Sequence, residues 1–165
     1  MKQMILGGLV ALVAACSTAE GPQAWAANKE TTGPTRFALA IDPSAVGTYS
    51  GAAKSGAGYF YDDVLEYRVW MHPERGAERV AGDADYFAAF AQYERAVEFA
   101  KVTAGAEEPL VLVRQREWID EPEPGRFVPM KKERITEWQV KWLADSKRGA
   151  DSIAQFIAHP QPARD

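Results

Sequence analysis

The chain has 165 residues, enough for one domain, and its 47% hydrophobic and 25% charged content is ordinary for a globular protein. A formal net charge of −4 and a pI near 5.3 argue against a nucleic-acid binder and against attachment to anionic lipid by charge alone. One cysteine rules out an intramolecular disulfide and a cysteine-rich metal site.

The N-terminus reads as targeting sequence. Lys2 gives a short positive start, and Met4 to Ala15 is an uncharged apolar run. A membrane-spanning helix needs about 20 apolar residues, so this run suits a signal peptide instead. It ends in Val13-Ala14-Ala15-Cys16, which resembles the lipobox of bacterial lipoprotein precursors, with Val13 where leucine is usual. The resemblance implies a signal peptide over 1–15 and cleavage before Cys16. It also implies palmitate-type acyl chains on that residue, membrane attachment and a position in the cell envelope facing the periplasm. Each buried CH₂ contributes about 0.8 kcal/mol, so two or three chains anchor stably. The alternatives are a plain secretory signal ending at Ala24-Trp25-Ala26, and a misassigned start.

Residues 16–58 follow as the lipidated cysteine and a flexible tether rich in Ala, Gly, Ser, Thr and Pro. Phe37-Ala38-Leu39-Ala40-Ile41 interrupts it as a short strand or a docking segment. From residue 59 the pattern changes. Leu65, Tyr67, Val69 and Met71 alternate with Glu66, Arg68, Trp70 and His72, which predicts a half-buried strand stopped by Pro73, with a turn at Glu74-Arg75-Gly76. Tyr86, Phe90, Tyr93, Val97 and Ala100 form an apolar stripe at helical spacing. They predict a helix from Tyr86 to Val102, capped by Asp83 or Asp85 and stopped by Gly105. Leu110 to Val113 reads as a buried strand. Asp120 to Gly125, with two prolines and a glycine, reads as a loop. Arg114–Trp118 and Glu133–Val140 are expected to pair antiparallel, with Thr136, Trp138, Val140 and Trp142 facing one way. Asp151–Ala158 reads as a closing helix with Ile153, Phe156 and Ile157 inward, and 159–165 as a disordered tail. The expected fold is α+β over residues 59–158. It has a small, mainly antiparallel sheet in the order strand–helix–strand–strand–helix, with helices on one face.

Chemistry is sparsely signalled. Arg68, Trp70, His72 and Arg75 cluster at the end of the first strand as a candidate polar binding patch, with His72 as an acid/base or ligand contact. A strand-end histidine beside a solvated, ion-paired face explains the same residues and is preferred. His159 lies in the expected tail. One such histidine with no cysteine or second histidine beside it leaves no expected metal site, and Asp120, Glu121 and Glu123 lack calcium-site spacing. Trp118, Trp138 and Trp142 fill a small core more readily than they build a binding platform. Neither G-x-S-x-G nor a phosphate-binding glycine motif occurs, so no cofactor is expected.

The segments YFYDDVLEYRVWMHPERGAE, FAKVTAGAEEPLVLVRQREWIDEPEPGRF and ERITEWQVKWL are similar to a small alphaproteobacterial family of uncharacterised function, across residues 59–158. Its members are sometimes labelled GNAT-type acetyltransferases. That label implies acyl transfer, but the superfamily's R/Q-x-x-G-x-G/A pyrophosphate loop is absent, because Arg114-Gln115-Arg116-Glu117 has no glycine. The expectation is a lipid-anchored envelope protein, a binding module with an envelope partner and no nucleic acid. An acyltransferase, or a hydrolase using His72 with Glu66 or Glu78, is the alternative.

Overall fold

A computed structural model describes residues 35–50, 58–80 and 82–160. The signal peptide, Cys16 and the last five residues of the expected tail lie outside that set. Among the described residues the fold is α+β, with one four-stranded antiparallel sheet and two α-helices. The strands are β1 (Asp63–Met71), β2 (Tyr86–Phe90), β3 (Leu110–Glu123) and β4 (Arg126–Gln139), arranged β2-β1-β3-β4. The helices are α1 (Tyr93–Val102) and α2 (Ser152–Ala158). No helix of the described residues is long and apolar enough to cross a membrane.

β1 is central, and a bulge sets its faces. The pairing shifts between Val64 and Glu66, leaving Leu65 as the extra residue. Val64 therefore joins Tyr67, Val69 and Met71 in the main core, where the simple alternation had placed Leu65. Ala88, Phe90, Val111, Val113 and Trp138 complete that face, and Ala96, Tyr93 and Phe99 of α1 pack over it. The other face of β1 is not solvated as expected, because Glu66 and Arg68 are fully buried.

The expected helix from Tyr86 to Val102 is two elements. Tyr86–Phe90 is a strand, with Met71↔Tyr86 and Tyr67↔Phe90 at the ends of its register on β1. Aromatics four apart satisfy both a helical and a two-residue period. Pairing with β1 decides between them, because it directs Ala88 and Phe90 into the core and Phe87 onto Arg68 and Trp70. The observed order is thus β-β-α-β-β-α.

Arg114–Trp118 and residues 133–139 fall in the paired arms of β3 and β4, with Arg114↔Ile135 and Gln115↔Arg134 in register, whereas Val140 opens a 3-10 turn, Val140–Leu143, that also carries Trp142. The expected loop at Asp120–Gly125 is mostly strand. The hairpin continues to Glu123↔Arg126, and Gly125 turns it at φ +80°. A register shift between Asp120 and Glu123 accommodates Pro122, which lacks a donor for a regular ladder. In α2, Phe156 meets Tyr59, Phe60 and Phe127, whereas Ile157 is exposed rather than inward.

Part of the stretch read as tether packs on the sheet. Phe37–Ile41 docks without forming a strand: Ala40 N–H donates to Ala91 O (2.9 Å), Ile41 N–H to Val64 O (2.8 Å), and the buried Tyr67 hydroxyl to Ala38 O. At the opposite end, Asp62 ties the segment before α2 to the sheet. Its carboxylate accepts from Arg148 Nε (2.8 Å), Arg148 Nη2 (2.5 Å) and the Arg116 N–H (2.5 Å). Burial alone would raise the Asp62 pKa. The Arg148 hydrogen bond, the Arg116 N–H and both guanidinium charges outweigh it and hold the carboxyl below its ordinary value.

A depressed carboxyl pKa contributes stability that is complete above the unfolded value of about 3.9 and is lost as pH falls through the folded value. Asp62→Asn is expected to lower unfolding free energy by about 2–3 kcal/mol at pH 7. In urea titrations the gap between wild type and variant should narrow as pH falls below about 4. A gap that stays constant with pH would show that the charge of Asp62 is not what stabilises the fold.

Candidate functional site

The four residues expected as a patch separate into two groups. Arg68 and Trp70 belong to an enclosed network on the second face of β1. Arg68 Nε donates to Glu66 Oε1 (2.6 Å), and Nη2 donates to the carbonyls of Tyr49 (3.1 Å) and Ser50 (2.9 Å). The guanidinium stacks on Phe87 at 4.2 Å, and Nη1 lies 3.6 Å from Glu137 Oε1. Trp70 Nε1 donates to that same oxygen (3.0 Å), and the Gly47 N–H donates to Glu66 Oε2 (2.7 Å). Arg68 is therefore fully buried within this network. Its role is to neutralise two buried carboxylates, and the segment carrying Gly47, Tyr49 and Ser50 closes the network.

His72 and Arg75 form the second group, at the rim. β1 ends at Met71, and Pro73–Arg75 makes a 3-10 turn closed by Gly76 at φ +98°. The His72 N–H donates to Gly105 O (2.9 Å), and His72 O accepts from the N–H groups of Arg75 (2.9 Å) and Ala77 (3.1 Å). The histidine backbone is thus fixed on both sides. Gly105 sits in the left-handed region at φ +70°, where a Cβ would fall 2.3 Å from Ala77 N and 2.7 Å from His72 O. Only glycine permits that approach.

Three carboxylates surround the imidazole. Nδ1 lies 3.0 Å from Asp85 Oδ1 and 3.5 Å from Glu74 Oε1, and Nε2 lies 2.9 Å from Glu107 Oε1. Arg75 bridges two of them, with Nη1 3.0 Å from Glu107 and Nε 3.4 Å from Glu74. His72 is 8% exposed, whereas Glu74 and Asp85 reach solvent. The hydrolase pairing of His72 with Glu66 or Glu78 is not what forms: Glu66 is buried against Arg68, and these three carboxylates are the ones that approach the imidazole. His72, Glu74 and Asp85 bring their ligand atoms within 4.8 Å of one another, a set that could hold a cation.

Sequence reasoning missed Asp85 and Glu107. Asp85 is expected, as the alternative to Asp83, to cap a helix from Tyr86, but α1 begins later, at the Gln92 N-cap. Glu107 is brought in by β1 itself, through its N–H to Trp70 O (2.8 Å) and the Met71↔Ala106 bridge. No local motif announces either contact.

The remaining candidates have structural roles. Trp138 is buried, with Nε1 donating to Thr136 Oγ1 (2.9 Å). Trp118 donates to Lys132 O (3.2 Å) beneath Arg134, and Trp142 packs edge-on to Trp138. Glu121 accepts from the Gly125 N–H (2.8 Å) and the Tyr59 hydroxyl, and Glu123 pairs with Arg126, so the acidic run closes the β3–β4 hairpin. His159 is the exposed C-cap of α2. At the β2–α1 junction the first helical turn carries Glu94, which accepts from the Arg36 N–H (2.6 Å). A coenzyme pyrophosphate there would meet a carboxylate.

No family model, no curated protein and no solved structure matches the chain.

The two groups predict different sensitivities. Arg68→Ala removes the guanidinium that pairs with the buried Glu66 and lies beside Glu137, and should cost about 3–5 kcal/mol of unfolding free energy. Arg75→Ala, at an exposed pair, should cost less than about 1 kcal/mol. Urea denaturation at neutral pH ranks them, and an equal cost would show that Arg68 is not the buried countercharge described. Gly105→Ala should cost at least about 2 kcal/mol from strain and clash, read from the same curves; a neutral result would contradict the close approach of Gly105 to Ala77.

Proposed function

We propose that this chain is a lipid-anchored cell-envelope protein whose α+β part serves as a binding module facing the periplasm. The observation that carries this reading is the uncharged run from Met4 to Ala15 ending in Val13-Ala14-Ala15-Cys16. Acylation of Cys16 would hold the chain at a membrane, and the residues after it would let the folded part reach an envelope partner. The arrangement around His72 fits binding better than nucleophilic catalysis. Among the described residues its imidazole faces carboxylates rather than a serine hydroxyl that it could activate. An acyltransferase remains the alternative if the chain stays in the cytoplasm, where acetyl-CoA is found.

Membrane fractionation with mass spectrometry of the full chain beside Cys16→Ala tests the proposal. The wild type is expected in the membrane fraction, cleaved and carrying acyl chains on Cys16, while the variant is uncleaved and carries none. Two soluble, unprocessed proteins would overturn the anchor and bring the acyltransferase alternative forward, to be tested by calorimetric titration with acetyl-CoA.

A further inference from the structure

We propose that His72, Glu74 and Asp85 form a binding site for a divalent transition-metal ion of the zinc type. In this site Glu107 holds the far side of the imidazole. The proposal uses residues of the folded part alone and does not depend on the anchor.

The first argument is spacing. Nitrogen and oxygen ligands bind zinc at about 2.0–2.2 Å, so two donors sharing one ion across octahedral to tetrahedral angles lie about 3.0–3.5 Å apart. His72 Nδ1 is 3.0 Å from Asp85 Oδ1 and 3.5 Å from Glu74 Oε1. All three donors fall within 4.8 Å of one another. One ion fits at the meeting point, and the exposure of Glu74 and Asp85 leaves room for water to complete its shell.

The second argument is the imidazole itself. Its side chain is nine-tenths buried and points into the carboxylates, and Nε2 makes no hydrogen bond. Glu107 Oε1 lies 2.9 Å from that nitrogen, so the missing element is direction rather than distance. A metal on Nδ1 fixes the ring proton on Nε2, against the Glu107 carboxylate, and a small rotation turns the contact into a charge-assisted hydrogen bond. Carboxylate–histidine–metal triads have this arrangement. Arg75 already holds Glu107, and the His72 backbone is pinned to Gly105.

Charge supplies the third argument. Among the described residues, the carboxylates of Glu74, Asp85 and Glu107 converge on the imidazole, and the guanidinium of Arg75 bridges Glu74 and Glu107. A divalent ion would bring positive charge to this group of carboxylates. The ligand set selects the ion. Calcium takes six to eight oxygens, whereas an imidazole with two carboxylates suits zinc and its neighbours.

The test is calorimetric titration of the full chain with zinc chloride in mild detergent, on a Cys16→Ala background that removes the only thiol. One zinc per chain is expected. Asp85→Asn and Glu74→Gln, both at exposed positions, should each weaken binding at least about tenfold. Glu107→Gln should weaken it about 10–100-fold, as expected for an outer partner. Zinc should also raise the thermal unfolding midpoint of the parent but not of Asp85→Asn, with circular dichroism showing both folded. No zinc binding, binding unchanged by Asp85→Asn, or calcium bound as tightly as zinc would each overturn the proposal.

Discussion

The structure depends on a positive charge buried in the middle of its sheet. Arg68 lies on the central strand with no exposed surface, between Glu66 on the same strand and Glu137 on β4. Taking such charges out of water costs several kcal/mol each unless they are paired and hydrogen-bonded. Here the compensation comes from distant parts of the chain. Two carbonyls, at Tyr49 and Ser50, take the guanidinium, the Gly47 amide takes Glu66, and the indole of Trp70 takes Glu137. Phe87 covers the flat face of the guanidinium. The network therefore specifies which segment lies against this face and which strands flank β1, since other pairings would leave a charge buried and alone.

The same strand delivers the rim site. Bulging at Leu65 fixes which side chains of β1 face the apolar core, and from Tyr67 onward Val69 and Met71 keep that face while Arg68 and Trp70 take the other. At its end Pro73 prevents continuation, and the chain turns so that Glu74 and Arg75 fold back beside His72. Gly105 allows the turn after α1 to lie directly against this corner, which brings Glu107 to Nε2, while the approach to β2 brings Asp85 to Nδ1. Two sequence-distant acids and a local one thus meet on a histidine whose backbone cannot shift.

Much of the fold could be read locally, and its errors have identifiable causes. Period-two alternation located β1 and β4, the continuous apolar run Leu110–Val113 located the start of β3, and the short C-terminal helix followed from its apolar spacing. The Tyr86–Phe90 strand was hidden because its aromatics also continue the helical stripe of Tyr93, Val97 and Ala100. The hairpin arm through Pro122 was hidden because proline usually ends a ladder, and here a register shift absorbs it. At the site, His72 and Arg75 were visible as a polar pair after a strand. Asp85 and Glu107 could not be recognised as their partners, since nothing in either segment's pattern encodes proximity to residue 72.

Local pattern by itself determined the class of the fold, the existence of β1, the β3–β4 pairing and the corner at His72. These rest on side-chain periodicity and on proline and glycine geometry, which act over a few residues. Tertiary structure alone decided that Tyr86–Phe90 is a strand, that part of the stretch before residue 58 closes over the sheet, and that Arg68 is buried beside Glu66 and Glu137. It also gathered the carboxylates around His72. Those outcomes depend on desolvation and charge pairing between segments far apart in the chain. Their energies exist only once the segments have been brought together, so no local pattern could carry them.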